Sequence, residues 1–155
     1  MRVAFVTGAN RGLGKGFVEY LLDQDFLVFA AVRNLETFDL KNAKGQLEIV
    51  QLDLASDKSI QKASDFVSTK TDHLDYLINN AGVNKDSVTN NHKDLVCKLS
   101  SLERESLLEM FNINTIGPML LTMRLLNILK SDPSFVVNIS SCRASYHDEF
   151  SNSNA

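Results

Sequence analysis

The chain predicts an α/β protein built on an open, doubly wound parallel sheet. Three observations lead there. Short apolar runs alternate with amphipathic stretches five times along 155 residues. The runs are apolar at consecutive rather than alternate positions, which suits strands covered by helices on both faces. The first run passes straight into a glycine-rich turn and then a helical pattern, Thr7 to Leu22.

Residues 2–7 read as a buried strand. Residues 12–23 follow as a helix, with Leu13, Phe17 and Leu21 at fourfold spacing and Val18 and Leu22 beside them. Residues 26–32 make the second strand, and a short helix is expected over residues 35–43. The third strand, residues 47–52, runs out into Asp53 and Leu54. Ser56 or Asp57 caps the next helix, which reaches residue 70. Residues 74–79 form the fourth strand. Residues 83–99 are polar and irregular, with Asn84, Asn90, Asn91 and His92. Residues 101–110 and 112–130 read as helices, and 134–140 as the fifth strand. Residues 143–155 are polar and without periodicity. Crossovers between parallel strands are right-handed. There is no internal repeat, and residues 1–155 are expected to form one domain.

Bulk properties narrow the function. The net charge is -3, with both signs spread along the chain and no Lys/Arg run, so a nucleic-acid partner is not expected. Cys97 and Cys142 have no metal-ligand spacing, so no metal site is expected and a reducing compartment is. The apolar run Val3–Val6 is shorter than the roughly 7–15 residues of a signal peptide. No window approaches the ~18 apolar residues of a membrane span. The expected placement is cytoplasmic, with no membrane contact.

The turn reads Thr7-Gly8-Ala9-Asn10-Arg11-Gly12-Leu13-Gly14. Glycines suit a place where the backbone must turn tightly and an anion must come close to it. The following helix offers free N–H groups and a partial positive charge to a phosphate. A Walker A loop is excluded, because Gly8 stands one residue too far from Gly14-Lys15 and Gly16 stands where a hydroxyl is needed. The G-x-G-x-x-G spacing is absent as well. The spacing present is Gly-x-x-x-Gly-x-Gly.

Preceded by Thr7, that spacing resembles the cofactor motif of the short-chain dehydrogenase/reductase family. Three more segments fit in order: Asn79-Asn80-Ala81-Gly82, Asn114-Thr115-Ile116-Gly117, and Val137-Asn138-Ile139-Ser140-Ser141. The finer pattern is most similar to the carbonyl-reductase branch related to sniffer and C-factor proteins. The resemblance implies a Rossmann-like sheet of order 3-2-1-4-5. It implies that Thr7, Gly8, Asn10, Gly12, Leu13 and Gly14 form the pyrophosphate turn. Asp53 and Leu54 would meet the adenine, and Asn80, Ala81 and Gly82 would line the cofactor. NAD-selective members carry an acid after the second strand, which would repel a 2′-phosphate. Here Arg33 stands there, followed by Asn34, and Arg11 lies in the turn. Guanidinium suits bidentate phosphate binding, so NADP is expected over NAD.

The resemblance also implies a catalytic serine, Ser141 with Ser140 as the alternative, and a catalytic asparagine, Asn114 with Asn112 as the alternative. A tyrosine with a lysine four residues on should follow Ser141 by a little over a dozen positions. Tyr146 comes too early and is followed four residues later by Phe150, and no lysine lies after Lys130. The family's fold is therefore expected to be truncated after the fifth strand. That would leave residues 134–140 as an apolar edge and expose the outer face of helix 112–130, favouring a homo-oligomer through it. Three functional expectations follow: an NADP-dependent carbonyl reductase by family, a non-catalytic dinucleotide-binding protein, or a fragment without function. A small carbonyl substrate is expected only with a complete active site.

Overall fold

Alternation along β1 (Val3–Thr7) explains the consecutive apolar positions. Val3 and Phe5 point to one face of the sheet, and Ala4 and Val6 to the other; all four are buried. β2 (Leu27–Val32) repeats the arrangement beside it. These facts come from a computed structural model, which describes residues 1–40, 45–84, 103–129 and 133–141.

The five strands form one parallel sheet in the order 3-2-1-4-5. The edge strands are β3 (Gln46–Gln51) and β5 (Phe135–Asn138), and β4 (Tyr76–Asn79) lies between β1 and β5. Register pairs Phe5 with Phe29 and Leu77, and Ile78 with Val137.

One face is covered by α1 (Gly12–Asp23), whose Val18, Leu21 and Leu22 pack on Val6, Val28 and Ala30. The other is covered by α2 (Asp57–Lys70) and α4 (Gly117–Leu125), which bring Ile60, Val67, Leu121 and Leu125 onto Phe5, Phe29 and Leu77. Each such large side chain contributes roughly 1.5–3 kcal/mol by leaving water. α3 (Arg104–Phe111) precedes α4.

Several expectations need correction. Residues 35–40 do not form the helix expected over 35–43, and 41–43 lie outside the described residues. A single 3₁₀ turn spans Leu35–Thr37, capped by the Asn34 side chain, and Phe38 is already extended. Asn34 satisfies the turn's first free N–H, and no apolar stripe is buried there to reward further winding. Residues 112–130 are not one helix either: a π turn, Asn112–Ile116, opens the stretch, and α4 ends at Leu125. Of the two candidate caps of α2, Ser56 takes the place, its hydroxyl accepting from the Ser59 N–H at 3.3 Å. Most of the polar stretch 83–99, and Tyr146 in the polar tail, lie outside the described residues. Among the described residues no helix is long and apolar enough to cross a membrane, and no three metal-ligating side chains converge.

Candidate functional site

The strand order reverses at β1: the chain builds outward through β2 to β3 on one side, then crosses back to lay β4 on the other. Such a switch point opens a crevice beyond the carboxyl ends of the strands. Here it is a cleft of about 810 Å³.

Its floor is the glycine turn. Gly8 and Gly12 have φ of +66° and +54°, in the left-handed region that favours glycine. The three glycines nevertheless differ in what surrounds them. A Cβ on Gly14 would stand 2.2 Å from the Gly8 carbonyl oxygen, and one on Gly8 2.9 Å from Ala81 Cα. These two are glycine because the turn, α1 and β4 pack on one another. A Cβ on Gly12 would meet nothing within 4 Å. Gly12 opens α1, whose first turn carries no acid and whose cap, Arg11, makes no side-chain bond to it. The helix therefore presents unspent N–H groups and the positive end of its dipole beside open space, a cradle suited to an anion.

Thr7 and Asn80 hold this floor to β4. The buried Thr7 hydroxyl accepts from the Asn80 and Ala81 N–H groups, both at 3.0 Å, and donates to the Ile78 carbonyl at 3.4 Å. The Asn80 amide donates in return to the carbonyls of Thr7 and Gly8, at 2.9 and 3.2 Å. The far wall begins at Leu52, Asp53 and Leu54. The Asp53 carboxylate accepts from the Ala55 N–H at 2.9 Å, and its own N–H donates to Ser59. The loop is thus fixed before any ligand arrives.

Arg11 and Arg33 are both exposed and both line the cleft. Among the described residues neither guanidinium has an ion-pair partner. Asn34 and Thr37 stand beside them on the wall.

All thirteen residues expected around a cofactor, from Thr7 to Gly82, line this one cleft. Ser141 and Asn114 do not. Ser140 and Ser141 follow β5 and are exposed. Asn114 lies in the π turn, and both ends of its amide are committed. Oδ1 accepts from the Val83 N–H at 2.8 Å and Nδ2 donates to the Val83 carbonyl at 2.7 Å. It thereby holds the segment that follows Gly82. Asn112 is exposed in the same turn. Sequence reasoning missed Asn34 and Thr37 as cleft residues, along with the apolar Ala31, Val83, Ile113 and Ile139. Asn34 had a signal, being a good cap just after Arg33. Thr37 had none.

Comparison with known proteins agrees with this geometry. A family model described as short chain dehydrogenase matches residues 2–152. Retinol dehydrogenase 11 of Mus musculus is 36% identical over 149 residues, 90% of this chain and 43% of that protein. Dehydrogenase/reductase SDR family member 13 of Bos taurus is 38% identical over 149 residues, 90% of this chain and 36% of that protein. The chain spans less than half the length of these two relatives. Among solved structures, the NADPH-bound carbonyl reductase from chicken fatty liver is similar with a TM-score of 0.75 and 30% identity, over 97% of this chain and 64% of that one. With its sheet order, its glycine turn and a family match over nearly all its length, the chain belongs to the short-chain dehydrogenase family.

Proposed function

We infer that the cleft binds a nicotinamide dinucleotide, NADP(H) in preference to NAD(H). The observation that carries the preference is the pair Arg11 and Arg33. Both face the cleft without an ion-pair partner among the described residues, and Arg33 stands where an NAD-selecting acid would stand. The open space at Gly12 and the unspent end of α1 fit a pyrophosphate. Asn10, Leu13 and the glycines would border it, Asp53 and Leu54 would meet the adenine, and Asn80, Ala81 and Gly82 would line the remainder. The NADPH in the chicken reductase supports the reading.

Oxidoreductase chemistry is proposed on the family, in the carbonyl-reductase manner. When bound, the nicotinamide supplies or takes a hydride at a carbonyl or alcohol carbon. Ser141 is proposed to orient the substrate oxygen. Asn114 is proposed to serve by fixing residues 82–84 along the cleft.

Fluorescence titration with NADPH and NADH tests the binding. NADPH is expected to bind more tightly, and Arg33→Asp to weaken it by about tenfold or more, the size of a charge-assisted hydrogen bond, while NADH gains relative to it. An unchanged NADPH/NADH ratio in Arg33→Asp would remove the 2′-phosphate assignment. Absorbance of NADPH with a panel of carbonyls separates turnover from binding alone.

A further inference from the structure

Two loops from different βα units carry the cleft's arginines, and one hydroxyl joins them. Asn10 precedes Arg11 in the glycine turn, and its amide donates to Thr37 Oγ1 at 3.2 Å. The same hydroxyl donates to the Asn34 carbonyl at 2.6 Å, next to Arg33. The Thr37 N–H reaches that carbonyl too, at 3.2 Å. The Asn34 side chain closes the 3₁₀ turn from within by accepting from the Glu36 N–H at 3.0 Å. Thr37 thus both donates and accepts, which a threonine hydroxyl can do at once.

We propose that Asn10 and Thr37 form a latch that positions the two arginine-bearing loops and thereby sets the preference for a 2′-phosphorylated dinucleotide. The inference rests on the reading of the cleft as an NADP(H) site. Its physical basis is twofold. Long arginine side chains bind a phosphate at lower entropic cost when their backbones are held at a fixed separation. In addition, the latched turn directs Asn34 and Thr37 to the cleft wall and leaves Glu36 off it. A loosened turn would let that carboxylate approach the phosphate and repel it. Neither effect reaches a dinucleotide without the 2′-phosphate. Thr37 is therefore a positioning residue.

The test is NADPH and NADH titration of the full chain and its variants. Thr37→Val keeps the shape and removes the hydroxyl. It is expected to weaken NADPH binding about fivefold, as for loss of one neutral hydrogen bond, and to leave NADH within about twofold. Thr37→Ser should keep the parent ratio. Asn10→Ala should move the NADPH/NADH ratio as far as Thr37→Val does, on top of any loss that it causes to both nucleotides at the pyrophosphate, and the double variant should move the ratio no further than either, because both break one interaction. Equal weakening of both nucleotides, an unchanged NADPH affinity, or additive single effects would overturn the latch. Arg33→Asp separates the two levels. If it shifts the ratio while Thr37→Val does not, the latch alone fails. If Arg33→Asp does nothing, the 2′-phosphate reading fails with it.

Discussion

Thr7 ends β1 with a hydroxyl that is almost fully buried and has three backbone partners. It replaces the ladder bonds that β1 and β4 cannot make where their ends part around the cleft. Thr7→Val keeps the volume, leaves the Ala81 N–H without its acceptor and leaves the Asn80 N–H with the Ile78 carbonyl alone. We expect a loss of roughly 1–3 kcal/mol, read as a lower urea midpoint, with Thr7→Ser recovering most of it. A Thr7→Val midpoint equal to the parent would show that water serves these groups equally well. Most of the cleft was readable at this level, because glycine spacing and the N-N-A-G run are local signatures of a turn and of the strand end that meets it. Two things were not. The reasons for Gly8 and Gly14 include tertiary contacts, with Ala81 and the Gly8 carbonyl standing where a Cβ would go, whereas Gly12 is favoured by its φ of +54° alone. Thr37 meets Asn10 across 27 positions, a bond that no local pattern announces.

Helix 112–130 illustrates what periodicity conceals. Ile113, Gly117, Leu121 and Leu125 are buried at fourfold spacing, so the stretch reads as continuous helix. The π turn lengthens the winding before Gly117 without disturbing that spacing, and such turns gather at functional sites. Gly117 itself is demanded from outside: a Cβ there would lie 2.3 Å from the Leu54 carbonyl oxygen, where the cleft's far wall meets α4. The strands were legible because each is a short apolar run between turns; the stretch after Asn34 was not, because no side chain of Leu35–Thr37 is buried to reward winding further. The outer face of this region matches the expected exposure. Met119, Met123 and Leu126 are 62%, 59% and 51% exposed in one stripe, and Phe135 and Val136 of β5 are exposed too. Apolar stripes of this kind attract a second copy. Sedimentation velocity should therefore show concentration-dependent association that Met119→Lys with Met123→Lys suppresses; a single monomeric species at every concentration would refute it.

The sheet is polarised: its carboxyl end holds the cleft, and its amino end is tied off by a separate polar cluster. There His73, in the loop before β4, places Nδ1 2.9 Å from an Asp72 carboxylate oxygen and Nε2 3.1 Å from the Met1 carbonyl. Asp75 joins them, accepting from the Val3 N–H at 2.6 Å and lying 3.8 Å from Nε2. Both imidazole nitrogens thus face acceptors, and only the protonated ring can donate from both. The hydrogen bond to Asp72, then that to Met1, raises His73 above its ordinary 6.5, and the same Asp72–His73 bond lowers Asp72 below 3.8. The signs follow. The contribution of His73 is complete below pH 6.5 and is lost as pH rises through its raised folded value. That of Asp72 is present above 3.8 and is lost as pH falls through its lowered one. The tie between chain start and β4 is thus strongest between these limits, and salt should weaken it because Asp72 is fully exposed and His73 partly so. Urea midpoints at about pH 5.5 and about pH 8.5 should fall further in the parent than in His73→Gln as pH rises. Parallel changes in the two proteins would show that the cluster contributes geometry alone, with the Asp75 bond to Val3 carrying the amino end of β1 by itself.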